Sequence, residues 1–171
     1  HKRLLSKNAA FGSWAPDLYE AFPDAQLILC IREPRSGLSS QLSSLAPARD
    51  LFGTDPSGEQ TRECFFEIFR QNYTCLEHFA ESADAKRVVI LDQNDLKADP
   101  AGIIRQILKH FHIDLSDRLT VELNRLQQGR RSSHQHSAQA EGLDLDQIEV
   151  CLKPPYQAML RAQQRISPEN Q

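Results

Sequence analysis

Six residues, Gln26-Leu27-Ile28-Leu29-Cys30-Ile31, constrain this chain most. After Gln26 the run carries no polar alternation, so it suits a strand buried on both faces, as strands of parallel sheets are. It leads into Arg32-Glu33-Pro34-Arg35. Leu38, Leu42 and Leu45 then recur at four and three residues, which predicts a helix from Ser36 to about Ala46. A strand that delivers an arginine to the mouth of a helix can build an anion site, the alternative being a surface arginine beside a serine-rich helix. The helix start offers N–H groups and a partial positive charge, and arginine adds a planar fork that matches phosphate oxygens two at a time. Ser40, eight residues after Arg32, adds a neutral donor on the polar face one turn in.

The remaining pattern alternates helices with one further strand. Residues 14–22 predict a short helix, with Pro16 in its first turn and a stripe of Leu18, Tyr19 and Phe22. Pro47 to Gly58, with two prolines and two glycines, predicts a loop. Residues 59–81 predict the strongest helix, with Phe65, Ile68, Phe69, Tyr73, Leu76 and Phe79 along one face. Val88-Val89-Ile90-Leu91 is a second buried strand, and Asp99-Pro100 caps and opens a helix carrying Ile103, Ile107 and Phe111. Ser116 caps a helix over 116–127. Gly129 to Gly142 is polar and loop-like. A helix near 144–152 is broken by Pro154-Pro155, a last one carries Tyr156, Met159 and Leu160, and a frayed tail begins at Ser167. Strands separated by long helices point to an α/β layer fold with a parallel sheet. Residues 1–166 are read as a single, partial domain and 167–171 as its tail. Two strands are few for such a sheet, and the chain starts at His1 with Met159 its only methionine, so the expectation is truncation at the N-terminus.

The 171 residues suffice for one domain burying roughly 70% of its unfolded surface. A net charge of −3 gives no global basic field, which argues against nucleic acid as a partner. No window approaches the ~18 apolar residues of a membrane span. Cys30, Cys64, Cys75 and Cys151 have no CxxC spacing and are read as reduced thiols, which leans to a reducing, cytoplasmic compartment.

Three further groups bear on chemistry. Gly129-Arg130-Arg131-Ser132-Ser133-His134 joins two arginines, two hydroxyls and a glycine, either as a phosphate-binding loop or as a solvated basic one. Lys7-Asn8 stands just before the first helix, where a lysine beside an anion site can neutralise charge on a transferred group. His110-x-His112 and His134-x-His136 have a spacing that can bind metal. With no HExxH and no cysteine near in sequence, the first pair reads as closing its helix, and no metal is expected.

The run Leu5-Ser6-Lys7-Asn8, then Phe22-Pro23-Asp24-Ala25, then Ile31-Arg32-Glu33-Pro34-Arg35 with Ser40, resembles the PAPS-dependent sulfotransferases (PAPS is 3′-phosphoadenosine 5′-phosphosulfate), in their broad, largely bacterial branch. Asp95-Leu96-Lys97-Ala98-Asp99-Pro100 is similar to the family's YEDLxxDP segment. Ser132 to Ser137, followed by Gly142-Leu143, is similar to its SSHRYS…FGL segment, so the likeness spans about residues 4–150.

The resemblance implies a P-loop-NTPase-like three-layer parallel sheet with flanking helices, here without the 5′-phosphosulfate loop. It implies that Arg32 and Ser40 hold the 3′-phosphate, that Arg130 and Arg131 also reach it, and that Lys7 is the catalytic lysine steadying the moving sulfuryl group. The implied reaction moves that group from PAPS to a hydroxyl or amine of a small-molecule or carbohydrate acceptor and leaves PAP, the desulfated nucleotide. The chain departs from the pattern where Asn8, Ala9, Ala10 and Phe11 follow Lys7 without a histidine, and where Gln93-Asn94 replaces an aromatic-acidic pair. Those departures support an alternative, a catalytically degenerate nucleotide-binding or interaction module of the same fold. A nucleotide kinase is a third reading on architecture alone.

Overall fold

The computed structural model describes residues 4–128 and 142–166. Arg130, Arg131, Ser132 to Ser137, the pair His134 and His136, and the tail from Ser167 lie outside the described residues. A 3-10 turn (Ala9–Trp14) runs into α1 (Ala15–Ala21), with Pro16 in its first turn as expected. Then follow β1 (Leu27–Ile31), α2 (Pro34–Phe52), α3 (Glu59–Ser82) and β2 (Val88–Asp92). The order continues with α4 (Gln93–Ala98), α5 (Pro100–His110), α6 (Asp117–Gln128), α7 (Leu145–Cys151) and α8 (Lys153–Ile166).

β1 and β2 pair in parallel, with Leu27 opposite Val88 and Ile31 opposite Asp92. A parallel pair cannot be joined by a tight turn, and α2 and α3 make the crossover. One face of the sheet, formed by Leu29, Ile31, Val88 and Ile90, is covered by Tyr73, Leu76 and Phe79 of α3 and by Tyr156, Met159 and Ala162 of α8. Each large apolar side chain buried there contributes about 1.5–3 kcal/mol. A second cluster joins Leu38 and Leu42 of α2 to Ile148 and Leu152, with Phe65, Phe66 and Phe69 of α3 against it.

The α/β class with a parallel sheet holds, but three expectations are corrected. β1 is not buried on both faces: Ile28 is 40% exposed and Cys30 is exposed, while Leu29 and Ile31 are buried. Hydrophobicity without alternation does not create a cover, and among the described residues α3 and α8 cover only the Leu29–Ile31 side of β1. Among the described residues the sheet has two strands. The loop expected from Pro47 begins later, because α2 runs through Pro47 to Phe52. The proline forgoes one main-chain hydrogen bond of the helix, and at an exposed position its ring finds room. The stop comes from Gly53, left-handed at φ 62, which caps a helix without a Cβ clash. Likewise Pro154 and Pro155 open α8 instead of interrupting a helix, since a first turn needs no N–H from either.

Other local signals fold as read. Asp99 accepts from the Gly102 N–H at 2.9 Å, and Ser116 Oγ accepts from the Leu119 N–H at 3.2 Å. His110 Nε2–H donates to the Ala85 carbonyl at 2.7 Å, and His112 takes the left-handed φ of 51 that ends α5. The main-chain bonds from Ile113 to Leu108 and from His112 to Lys109 complete that C-cap. All four cysteines are free.

Arg87, just before β2, holds the entry to β1. Its guanidinium donates to the carbonyls of Tyr19 and Phe22 at 2.9 Å each and of Ala25 at 3.2 Å, and lies 3.7 Å from the centre of the Tyr19 ring. Arg87→Met keeps much of the apolar stem and removes all of these. Because the lost bonds involve a charged donor, it is expected to lower stability by ~2–4 kcal/mol in urea unfolding, with the m-value unchanged.

Candidate functional site

The site forms where the two strands end. Arg32 is the first residue after β1, and its guanidinium turns to α2: Nε and Nη2 both donate to Ser36 Oγ, at 3.1 and 2.8 Å. Ser36 is thus the hydroxyl that meets the arginine, and the sequence reading passed over it. Its signal was available, since Ser36 and Ser40 are four apart and share a helix face. Ser40 lies one turn further on, half-buried. Neighbouring Ser39 points the other way into the core, 1% exposed, its Oγ without a hydrogen bond.

The start of α2 differs from the expectation of open N–H donors. Glu33 is its N-cap, and its carboxylate accepts from the Arg35 N–H at 3.0 Å and the Ser36 N–H at 2.7 Å. Pro34 has no N–H, and the Gly37 N–H already bonds the Glu33 carbonyl at 2.8 Å. The first turn is therefore satisfied by its own carboxylate, and recognition of an anion here falls to side chains.

Two buried tyrosines hold this edge in place. Tyr73 of α3 donates its hydroxyl to the Arg32 carbonyl, fixing the backbone that carries the guanidinium. Asp92, the last residue of β2, is 3% exposed. Its Oδ1 accepts from the Asn94 N–H at 2.7 Å and its Oδ2 from the Tyr156 hydroxyl at 2.6 Å. The rings of Tyr73 and Tyr156 lie 6.4 Å apart. Burial raises the Tyr73 phenol above its ordinary range, and burial followed by the hydrogen bond and charge of Asp92 raises that of Tyr156. Both hydroxyls remain donors at neutral pH. Asp92 and Tyr156 were missed as site residues. The available signal was an acid closing an apolar run directly before a helix.

Lys7 is exposed, and its charge acts to lower the Cys30 thiol. Although Cys30 as a residue is exposed, solvent exclusion around its sulfur outweighs the lysine and raises the thiol overall. Trp14 is 59% exposed, whereas Tyr73 is in the core. Among the described residues no cluster of three metal-ligating side chains occurs. No helix among them is long and apolar enough to cross a membrane.

With this geometry in view, comparison identifies the class: the sulfotransferase-family model matches residues 1–117, from the Lys7 segment through both strands to the start of α6. The chain belongs to the sulfotransferase family. No curated protein and no solved structure matches it.

Tyr156→Phe leaves the buried Asp92 carboxylate with one partner fewer and is expected to cost about 1.5–3 kcal/mol in chemical unfolding. The alkaline limb follows from the same phenols. Above the ordinary value of 10.0 the unfolded chain loses protons that the folded chain keeps on Tyr73 and Tyr156. The folded state then binds more protons, so stability is full below pH 10.0 and falls as pH rises beyond it. Phenolate absorbance from these two residues should appear together with the loss of far-UV circular dichroism, and Tyr156→Phe should remove one phenolate from that step.

Proposed function

We propose that this chain carries the 3′-phosphate half of the site of a PAPS-dependent sulfotransferase with a P-loop-NTPase-like three-layer architecture, transferring to a hydroxyl or amine of a small-molecule or carbohydrate acceptor. Family membership supports the transferase class. The observation that carries the cofactor reading is the Arg32 guanidinium held against Ser36 at the carboxyl end of a parallel strand, where such sheets bind ligands.

The residues fit a phosphate. A guanidinium has five N–H donors, of which Nε and one on Nη2 reach Ser36, and Ser36 and Ser40 add hydroxyls along one helix face. PAPS, when bound, supplies the sulfuryl group. In this reading Arg32, Ser36 and Ser40 hold its 3′-phosphate, Arg130 and Arg131 add charge to it, and Lys7 stands by the transferred group. Four free thiols suit a reducing compartment. A degenerate module that binds the nucleotide without transfer is the second reading, supported by the absence of a histidine after Lys7. Turnover of labelled PAPS separates the two.

The test is protection of the whole chain from heat by PAP, with 5′-AMP as the comparator lacking a 3′-phosphate. PAP is expected to protect and 5′-AMP to protect less. Arg32→Ala should weaken PAP by roughly 10- to 100-fold, the equivalent of about 1.5–3 kcal/mol for a charge-assisted contact. Equal protection of variant and parent, or no preference for PAP, would sink the assignment.

A further inference from the structure

At the far end of α2 stand two arginines with no ion-pair partner among the described residues. Arg49 lies in the last turn of α2 and Arg62 in the first turn of α3. The turn between them closes on Gly58, at φ 70. The space a side chain would fill there is taken by the two guanidinium groups: a Cβ on Gly58 would lie 3.0 Å from the Arg49 guanidinium carbon and 3.1 Å from Arg62 Nη1. The two cationic groups thus share one side of a single backbone position.

None of the three ion pairs among the described residues includes Arg49 or Arg62. The carboxylate of the intervening turn, Asp55, is turned to the N–H and hydroxyl of Thr61, at 2.8 and 2.6 Å, and to Ser57 Oγ at 3.4 Å. Arg62 Nη1 donates to the Ser57 carbonyl at 3.0 Å. The Nε of Arg49 is buried and makes no hydrogen bond. Like charges side by side repel, and a buried donor without an acceptor is rare in folded proteins. One bound oxyanion relieves both, since each guanidinium fork matches oxygen atoms of such a group.

We propose that Arg49 and Arg62 form a second oxyanion site, for a sulfate, phosphate or carboxylate group, separate from the one at Arg32. Arg49 lies thirteen positions after Ser36 along the helix, about 20 Å at 1.5 Å per residue, so one phosphate cannot serve both. The proposal does not rest on sulfuryl transfer.

The probe is inorganic sulfate, titrated into the full chain against chloride at matched ionic strength. In an Arg32→Ala background, sulfate should still raise the melting temperature. Adding Arg49→Gln or Arg62→Gln should weaken that effect at least tenfold, and Arg49→Lys should fall between. Loss of all sulfate protection with Arg32→Ala alone overturns the proposal, as does equal protection with and without Arg49→Gln. Should the double variants not fold, the parent decides: the assigned Arg49 Nε–H resonance should shift on sulfate addition, and an unmoved signal overturns the site. A sulfated monosaccharide that binds tenfold tighter than sulfate would identify the occupant as a group on a larger molecule. Equal affinity would identify the free ion. Either result supports the site.

Discussion

The register of the two parallel strands governs the rest of the structure. Setting Ile31 opposite Asp92 brings Arg32, as the chain leaves β1, to the same edge as the acid that closes β2. The crossover that parallel pairing demands is also what supplies the supports, because α3 returns Tyr73 to the Arg32 carbonyl. The later α8 then packs on the same face and brings Tyr156 to Asp92. A slip of β1 by one residue would turn Leu29 and Ile31 out of the core and carry the Arg32 carbonyl away from Tyr73. Cohesion and site geometry therefore rest on the same register.

Preorganisation at this edge comes from neutral groups holding charged ones. The Arg32 fork is aligned by a serine hydroxyl and its backbone by a phenol whose proton burial retains. A guanidinium fixed in this way loses little side-chain freedom when an anion arrives, which is how a single arginine can be selective as well as attractive. Asp92 has a different part. Buried and bonded to Asn94 and Tyr156, it ties the end of β2 to α4 and α8 and keeps the strand end from fraying.

Much of this was legible in the residues, and what was not has physical causes. The strand at β1, the Tyr73, Leu76 and Phe79 stripe of α3 and the caps at Asp99 and Ser116 depend on neighbours in sequence and fold as their patterns say, while Ile68 of the expected stripe is exposed. The extent of α2 did not follow, because a proline signal at Pro47 competed with a glycine signal at Gly53 and only tertiary context ranks them. The exposure of Ile28 and Cys30 was hidden for a related reason: hydrophobicity reports what a residue tolerates, and a cover is supplied by distant elements. Arg32 and Ser40 were singled out by their spacing in one segment, whereas the hydroxyl that meets Arg32 is Ser36. The pairing of Arg32 with Ser36, of Tyr73 with Arg32 and of Tyr156 with Asp92 turns on rotamers and long-range packing that spacing does not encode.

The charges along α2 follow from its dipole. A helix start favours negative charge and its end favours positive charge. Arg49, in the last turn, is therefore favourably placed for its helix. Arg32 stands at the unfavourable end, and Glu33 offsets it: the same carboxylate that takes the Arg35 and Ser36 N–H groups brings negative charge to that helix mouth. That arrangement holds the fold together without a ligand, and it sets the terms on which a ligand binds. An anion at Arg32 would share the helix mouth with a carboxylate already seated there, so it would draw on the guanidinium and the hydroxyls of Ser36 and Ser40 and not on main-chain N–H groups.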